Sequence, residues 1–324
     1  MNMQIRGTGS ALPKNRMTNE QIAQRVETSD EWIRERTGIC ERHVSTGETV
    51  ASLAADACKK SLEHAGKSAE DVDLILVATC SPEMALPCVA CQVQDIIGAS
   101  NAVAFDLNAA CAGFLFALHT AYAYFASGVY RNALIVGSEV LSKIVDWEDR
   151  STCILFGDGA GAVYVEAKDT EDATSNFQFV QHANGSKGMV LTCGTRDIVN
   201  PFYESEPMEK YVKMDGKEIF QFAVRQIPVC IEEVLTKAGI SKEQVDFYFL
   251  HQANARIIEG ISRRLKEDSS KFPMNVQMVG NMSSASIPVL LDECMQKGML
   301  KKGQKIVLSG FGAGLTYGAC VITL

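Results

Sequence analysis

The sequence predicts an α/β protein of two similar halves whose helices and sheets alternate as five layers, α/β/α/β/α. Segments of the first half recur in the second about 172 residues later. Short continuous apolar runs, such as residues 74–78 and 133–136, are typical of strands covered by helices on both faces. Helix-like segments over residues 51–65 and 224–238 precede corresponding strands.

Four pairs of matching segments, all in the same order, define the repeat. The pairs are residues 71–76 with 244–249, 106–111 with 279–284, 132–137 with 304–309, and 161–165 with 318–322. The offset of the last pair falls to 318 − 161 = 157, so the first half contains an insertion of about 15 residues, roughly residues 142–156. The two halves are predicted to span residues 1–170 and 171–324.

Composition excludes several classes of protein. A net charge of −8 argues against a general nucleic-acid binder, and no apolar run approaches the ~18 residues that a membrane span needs. Residues 1–9 lack the cationic and apolar regions of a secretory signal. The 11 cysteines are scattered, which indicates neither a disulfide framework nor a zinc site and favours a reducing cytoplasm.

Cys111 is the strongest candidate nucleophile. It lies between a strand-like segment (residues 101–107) and a helix-like one (residues 112–125), with small residues around it. Free N–H groups and partial positive charge at the first turn of a helix favour a thiolate over a thiol. A cysteine is more often a small buried apolar residue, but this position predicts a reactive thiolate that a substrate can reach.

Two polar residues of the second half are candidates for the same site. His251 follows an apolar strand predicted over residues 245–250, and Asn281 lies in the turn that the repeat matches to the turn of Cys111. Each residue also has a structural interpretation: His251 could be a buried histidine whose hydrogen bonds are satisfied, and Asn281 could be a helix cap. Corresponding turns of the two halves are nevertheless expected to converge, which favours a shared site. Glycines over residues 309–318 let backbone N–H groups approach a ligand, as an oxyanion hole requires.

Two further segments admit a binding role or a structural one. Residues 29–38 predict a short helix, on which Trp32 and Arg36 could bind a nucleotide with phosphates. The alternative is a solvated helix with a half-buried tryptophan. The glycine run over residues 156–162 lacks the Lys-Ser/Thr pair of a phosphate loop, so it predicts tight packing of a strand.

Taken together, these motifs resemble those of the β-ketoacyl-acyl-carrier-protein synthases III, which initiate type II fatty acid synthesis. The similarity is carried by Ala-Ala-Cys-Ala-Gly-Phe around Cys111, His-Gln-Ala-Asn from His251 and Gly-Asn-x-Ser-Ser-Ala-Ser around Asn281. It runs from Gly-Thr-Gly at Gly7 to the last strand and so covers nearly the whole chain. It implies the duplicated thiolase fold, a cytoplasmic homodimer, and no metal or redox cofactor.

The resemblance also implies a role for each site residue. Cys111 would attack an acyl-CoA and hold the acyl group, while the backbone N–H groups of Cys111 and Ala313 bind the oxyanion. His251, through Nε2, and the Asn281 amide would donate to the thioester carbonyl of malonyl-acyl-carrier-protein as CO₂ leaves. The resulting carbanion would attack the acyl group on Cys111 and give a β-ketoacyl product.

Substrate contacts follow from the same resemblance. The CoA adenine would lie between Trp32 and Arg150, and the other CoA contacts correspond to Thr28, Arg36, Lys217, Phe220, Ala253 and Asn254. The acidic carrier protein would dock on Gln252, Arg256 and Arg263, next to Arg264 and Lys266. The acyl pocket would be formed by Met84, Leu86 and Phe311.

The chain departs from the family pattern at two places. Gln221 stands where some relatives have a basic docking residue, which weakens the expected basic patch. Met84 and Leu86 lie in a loop where a phenylalanine often closes the acyl pocket from across the dimer. This difference predicts that primers larger than acetyl, such as branched or medium-chain acyl groups, are admitted.

Related activities on the same fold are alternatives. A thiolase needs a second catalytic cysteine near the C-terminal glycine loop, whereas Cys320 lies within the last predicted strand. A 3-hydroxy-3-methylglutaryl-CoA synthase needs an acidic base, which the sequence does not place. A non-catalytic acyl-binding subunit usually lacks the cysteine. A synthase III-like enzyme of secondary metabolism that uses a non-acetyl starter is the closest alternative.

Overall fold

The computed structural model describes residues 2–169 and 177–324. The predicted boundary between the halves, at residues 170 and 171, lies outside the described residues. The strands are β1 (Asn2–Ala11), β2 (Arg16–Thr18), β3 (Glu41–His43), β4 (Leu74–Ala78), β5 (Val103–Leu107), β6 (Asn132–Glu139), β7 (Gly159–Lys168), β8 (Gln178–Ala183), β9 (Leu191–Thr192), β10 (Val199–Asn200), β11 (Tyr203–Glu204), β12 (Lys213–Met214), β13 (Phe247–Leu250), β14 (Lys305–Gly312) and β15 (Thr316–Thr323). The helices are α1 (Asn19–Ala23), α2 (Asp30–Thr37), α3 (Val50–Ala65), α4 (Val89–Ile97), α5 (Gly113–Ala126), α6 (Arg150–Cys153), α7 (Gly216–Ala238), α8 (Ala255–Leu265), α9 (Val276–Val279) and α10 (Ser286–Gln296).

Two mixed sheets form the frame, and one repeats the other. The first has the order β1-β7-β6-β4-β5, in which β6, β4 and β5 are parallel and β7 is antiparallel to both of its neighbours, β1 and β6. The second has the order β8-β15-β14-β13, with β13 and β14 parallel. Strands β8, β15, β14 and β13 therefore correspond to β1, β7, β6 and β4, as a duplicated fold requires.

Packing confirms the predicted five layers. Leu74 and Leu76 of β4 face a central core with α5 and α10, whereas Ile75 and Val77 face α3 and α4. On the second sheet, α7 and α8 cover the outer face. Because a fully buried strand must be apolar on both faces, β4 is an unbroken run of apolar residues rather than an alternating one.

The second half departs from the predicted repeat at one strand. The short helix α9 takes the position of β5, so within the described residues the second sheet has four strands. The chain there pairs with the end of the inserted piece instead. The N–H of Asn281 donates to the Leu155 carbonyl at 2.9 Å, and the N–H of Gly157 donates to the Asn281 carbonyl at 3.0 Å. The insertion therefore fixes the backbone of a candidate site residue.

The two central helices begin with the same turn. A 3₁₀ turn, Ala110–Ala112, precedes α5, and another, Ser283–Ala285, precedes α10. The first residue of each turn has positive φ, 46° and 48°, which is uncommon for residues other than glycine and often marks functional sites. The repeat places Ser284 opposite Cys111.

Glycines let these turns lie directly on the first sheet. A Cβ added to Gly137 would lie 2.2 Å from the Ser284 carbonyl oxygen, and one added to Gly161 would lie 2.6 Å from the Val289 nitrogen. The glycine run over residues 156–162 therefore serves strand packing, as predicted. All 11 cysteines are free.

Neither a membrane-spanning helix nor a metal-binding cluster occurs among the described residues. None of the helices there combines the length and apolar character needed to cross a membrane. Residues 2–169 and 177–324 contain no group of three or more His, Cys, Asp or Glu side chains that could hold a metal ion.

Candidate active site

Cys111, His251 and Asn281 line one cavity of about 120 Å³ between the halves. Cys111 comes from the turn before α5, His251 directly follows β13, and Asn281 follows α9. Three segments that are distant in sequence thus converge on one space, as the repeat predicted. Apolar side chains form much of the remaining lining, among them Leu191, Met214, Ile219 and Phe222.

His251 is buried and held through one ring nitrogen. Its Nδ1 lies 2.6 Å from the Ser286 hydroxyl oxygen, and the Phe311 ring packs edge-on against the imidazole at 5.4 Å. Burial lowers the pKa of His251 to about 3, so the imidazole is neutral at physiological pH. Nε2 makes no hydrogen bond within the described residues and is free for chemistry in the cavity.

Asn281 presents its amide nitrogen to the cavity. Its Oδ1 accepts the N–H of Ser283 at 2.9 Å, which occupies the acceptor end of the side chain. Nδ2 is therefore available as a donor. Because the backbone of Asn281 is paired with the inserted piece on both sides, this donor is held in a fixed position.

Burial opposes the thiolate predicted at Cys111. Burial is the main cause that raises the pKa of the Cys111 thiol to about 12, and the Glu139 carboxylate adds to the rise. A hydrogen bond from Ser283 opposes the shift without cancelling it. The desolvation of the sulfur outweighs the helix start, so a base is needed to remove the proton when Cys111 attacks.

The glycine-rich loop between β14 and β15 lies against the turn of Cys111. A Cβ added to Gly312 would lie 2.5 Å from the Cys111 backbone nitrogen. Thr316 ties the loop to the same turn, because its hydroxyl donates to the carbonyl of Ala109 at 2.9 Å. Ala313 follows Gly312, so the two predicted oxyanion donors, the N–H groups of Cys111 and Ala313, belong to segments in direct contact.

Sequence reasoning missed a buried carboxyl beside the nucleophile. Glu139 ends β6, is fully buried, and accepts hydrogen bonds from the hydroxyls of Ser81 at 2.5 Å and Ser284 at 2.9 Å. Burial raises its pKa above the ordinary range. The signal in the sequence for Glu139 was a single acidic residue at the end of an apolar strand. Ser283 and Ser286 were also missed, although both lie in the motif around Asn281.

Comparison with known proteins decides the family. The family model of 3-oxoacyl-[acyl-carrier-protein] synthase III matches residues 105–185, and the model of its C-terminal part matches residues 235–324. A β-ketoacyl-[acyl-carrier-protein] synthase III of Streptococcus suis is 46% identical over 315 residues, which is 97% of this chain and 96% of that protein. The chain belongs to the β-ketoacyl-acyl-carrier-protein synthase III family.

Solved structures of synthases agree. The 3-oxoacyl-[acyl-carrier-protein] synthase III of Aquifex aeolicus VF5 aligns with a TM-score of 0.91 and 41% identity over 100% of both chains. The priming β-ketosynthase of the R1128 polyketide pathway aligns with a TM-score of 0.90 and 32% identity, over 100% of this chain and 96% of that one. The duplicated thiolase fold and the activity of an acyltransferase that initiates fatty acid synthesis are thereby confirmed.

The residues assigned to the CoA adenine lie together in this synthase III. The guanidinium of Arg150 stacks on the Trp32 ring at 4.9 Å, and that of Arg36 lies 5.6 Å from the same ring. No space for a base is left between Trp32 and Arg150 in this state. Thr28 lies two residues before α2, and its hydroxyl is buried without a hydrogen-bond partner in the described chain.

The residues assigned to the pantetheine tunnel divide into two groups. Phe220, Ala253 and Asn254 line the cavity with the three candidate catalytic residues. Asn254 also caps α8 and donates from Nδ2 to the Arg36 carbonyl at 3.1 Å, which links the cavity to the helix that carries Trp32. Lys217 lies outside the cavity, exposed in the first turn of α7.

The assignment of Gln252 to carrier-protein docking is wrong. Its side chain is 0% exposed and uses both ends internally: Nε2 donates to the Leu250 carbonyl at 2.8 Å, and Oε1 accepts the N–H of Asn275 at 3.2 Å. The other members of the predicted basic patch are exposed on α8 and its end, and no salt bridge engages them in the described residues. They are Arg256, Arg263, Arg264 and Lys266.

Of the three residues assigned to the acyl pocket, only Phe311 lines the cavity. Met84 is 45% exposed and Leu86 is 84% exposed, and neither reaches the cavity in the single chain.

Proposed function

We propose that this synthase III condenses an acyl-CoA primer with malonyl-acyl-carrier-protein through an acyl-Cys111 intermediate. The observation that carries the proposal is the shared cavity, which is lined by Cys111 of one half and by His251 and Asn281 of the other. Such a site can hold an acyl group on one side and stabilise a developing negative charge on the other.

In the first half-reaction, Cys111 Sγ bonds to the acyl carbon and the thiol proton moves to Nε2 of neutral His251. The backbone N–H groups of Cys111 and Ala313 hold the oxyanion, and collapse of the intermediate breaks the bond to the CoA sulfur. The need for a base follows from the raised pKa of Cys111.

In the second half-reaction, malonyl-acyl-carrier-protein loses CO₂. The negative charge moves to its thioester oxygen, towards Nδ2 of Asn281 and Nε2 of His251. The carbanion then bonds to the acyl carbon, and the bond to Cys111 Sγ breaks. Each charge that develops faces a donor of the chain, so the proposal includes no metal or redox cofactor.

For the substrates, we propose that CoA enters over α2. Arg150 would move away from the Trp32 ring and then stack on the adenine. A base between them needs two stacked contacts of about 3.5 Å each, whereas the Arg150 guanidinium now lies 4.9 Å from the Trp32 ring. The acidic carrier protein would dock on the exposed basic side chains of α8, without Gln252. This patch is local, since the chain as a whole has a net charge of −8.

We also propose a homodimer in the cytoplasm. β5 is the edge strand of its sheet, and Val103 on it is 47% exposed. An unprotected apolar edge invites pairing with a second copy, and the exposed Leu86 would then reach the partner's cavity. The free thiols suit a reducing compartment.

Incubation with a panel of acyl-CoAs and malonyl-acyl-carrier-protein tests the function. The expected results are an acyl adduct on the Cys111 peptide, release of CO₂ and a β-ketoacyl product. Failure to acylate Cys111 with any primer would refute the proposal. The 32% identity to the polyketide priming synthase supports a second candidate, a secondary-metabolic enzyme. Use of a non-acetyl primer with rejection of acetyl-CoA would favour that candidate.

A further inference from the structure

Ser286 lies behind His251, at the start of α10, and is fully buried. Its hydroxyl oxygen has three partners: His251 Nδ1 at 2.6 Å, the Ser283 carbonyl at 2.8 Å and the N–H of Gln252 at 3.3 Å. The Gln252 group can only donate and the Ser283 carbonyl can only accept. His251 Nδ1 is the one partner whose role depends on where the ring carries its proton.

Counting protons decides between the two forms of the ring. A hydroxyl has one proton and two lone pairs. If it donates to Ser283, both lone pairs are free to accept from Gln252 and from Nδ1–H, and all three contacts are hydrogen bonds. If it donates to Nδ1 instead, its bond to Ser283 is lost and one lone pair has no donor. Buried polar groups favour the arrangement with the larger number of bonds.

We propose that Ser286 is a positioning residue that keeps the proton of neutral His251 on Nδ1 and leaves the Nε2 lone pair free in the cavity that Cys111 also lines. This inference rests on the proposed function and deepens it. It makes Nε2 of the free protein an acceptor, whereas the family resemblance implied a donor. Ser286 thereby gives His251 an unprotonated Nε2, which can accept the proton of the Cys111 thiol.

The proton balance of the cycle follows. Nε2 takes the proton of Cys111 as the bond between Sγ and the acyl carbon forms and passes it to the CoA thiolate that leaves, so the ring is neutral again. The negative charge of the malonyl group that then enters lets Nε2 take up a proton from solvent, and Nε2–H becomes the donor to the malonyl thioester oxygen. When the acyl group leaves Cys111 in the condensation, this proton moves to the sulfur. The bond from Nδ1 to Ser286 persists throughout, so only Nε2 changes its protonation state.

Nitrogen-15 NMR of the substrate-free protein, labelled at histidine, reads the tautomer directly. The chain has five histidines, and a His251→Asn variant assigns the signals of His251. We expect a protonated Nδ1 and an unprotonated Nε2 at pH 7. A protonated Nε2 would overturn the inference, and this reading needs no variant at Ser286 and no turnover. It therefore stands apart from any failure of the proposed function.

Variants at Ser286 test whether its hydroxyl holds the proton of His251 on Nδ1. Ser286→Ala should populate the Nε2–H form and slow acylation of Cys111 about 10- to 100-fold, a share of the 10²–10⁴ that a general base contributes. Ser286→Thr keeps the hydroxyl and should restore the tautomer. Ser61→Ala is the matched control, because the Ser61 hydroxyl is also fully buried but donates to the Gly7 carbonyl at 3.1 Å and does not line the cavity. An unchanged tautomer and acylation rate in Ser286→Ala would assign the histidine's orientation to other groups and overturn the inference.

Discussion

Alkylation of Cys111 tests whether its sulfur is a thiol or a thiolate in the free protein. The pKa rises from 9.0 to about 12, and three pH units lower the thiolate fraction about 1,000-fold near neutral pH. A more basic thiolate is a better nucleophile, and a Brønsted slope of about 0.45 regains roughly 20-fold. We therefore expect Cys111 to react with iodoacetamide about 50-fold more slowly than an ordinary exposed thiol.

The two reactions of Cys111 should respond differently to pH. Alkylation depends on free thiolate, so its rate should rise about tenfold per pH unit from pH 7 to pH 10. Acylation by acyl-CoA should stay flat from about pH 5 to pH 9 because His251, whose pKa is about 3, is neutral and able to accept the proton over this range. Mass spectrometry of the Cys111 peptide follows both, with a free cysteine peptide as reference.

An alkylation rate that reaches its maximum below pH 8 and rises no further would refute this reasoning. It would mean that the helix start holds a thiolate in spite of burial, as the sequence alone suggested. Ser283→Ala is an internal check, because the Ser283 hydroxyl lowers the pKa of Cys111. Its removal should slow alkylation further and leave the pH dependence of acylation unchanged.

Four further variants test other parts of the site and fold. Asn281→Ala should slow CO₂ release about 10²–10³-fold while Cys111 is still acylated; loss of acylation on the Cys111 peptide would contradict separate roles for the two half-reactions. Gly312→Ala places a Cβ 2.5 Å from the Cys111 nitrogen, so both half-reactions should fall about 100-fold with an unchanged circular dichroism spectrum, and normal rates would exclude this loop from the oxyanion site. Trp32→Ala should raise KM for acyl-CoA about tenfold, the worth of one aromatic stack, but not KM for acyl-phosphopantetheine, which lacks adenine; equal changes would place the adenine elsewhere. Burial lowers the pKa of His119 from 6.5 to about 3, so between these pH values the unfolded chain binds a proton that the folded chain does not. The free energy of unfolding should therefore fall by up to about 3 kcal/mol between pH 6.5 and pH 4.5. His119→Phe should remove this loss of stability in urea unfolding, and an equal loss in the variant would contradict the assignment to His119.

The fold and the three central side chains could be predicted because backbone pattern alone places them. Residues at the ends of parallel strands meet at one edge of a sheet, and the repeat showed which ends correspond. Cys111 and His251 each follow such an end, and Asn281 lies in the turn that the repeat matches to the turn of Cys111, so their convergence needed no knowledge of packing. The caps of α2, Ser29 and Gly38, follow from local chemistry in the same way.

The properties that could not be predicted arise from contacts distant in sequence. The pKa of Cys111 depends on its burial and on two residues from other elements, since the charge of Glu139 raises it and a hydrogen bond from Ser283 lowers it. Gln252 follows His251 directly, but the sequence does not show that its side chain turns inward to Asn275. The described residues of the second half contain no counterpart of β5, because the chain at Asn281 pairs with the end of the insertion instead. An insertion in one half leaves no signal in the sequence of the other.

The repeated turns explain why the two halves contribute different chemistry. Both have a left-handed first residue, so the next side chain leaves the turn at an equivalent place. In the first half that side chain is Cys111, which lines the cavity. In the second half it is Ser284, whose hydroxyl points to the buried Glu139 at the end of β6. One copy of the turn therefore supplies the nucleophile and the other fastens the halves together.

Because Ser284 joins the two halves through Glu139, the geometry of the site depends on the interface between them. Glu139 also accepts bonds from Thr79, Cys80 and Ser81 of the first half. The turn that contains Ser284 is thus held to the first sheet, and Asn281 and Ser286 flank this turn on either side. A buried carboxyl that loses its partners is costly, so the halves cannot separate without exposing or neutralising Glu139. The distance between the sulfur and the nitrogen donors is consequently set by the same contacts that join the two halves.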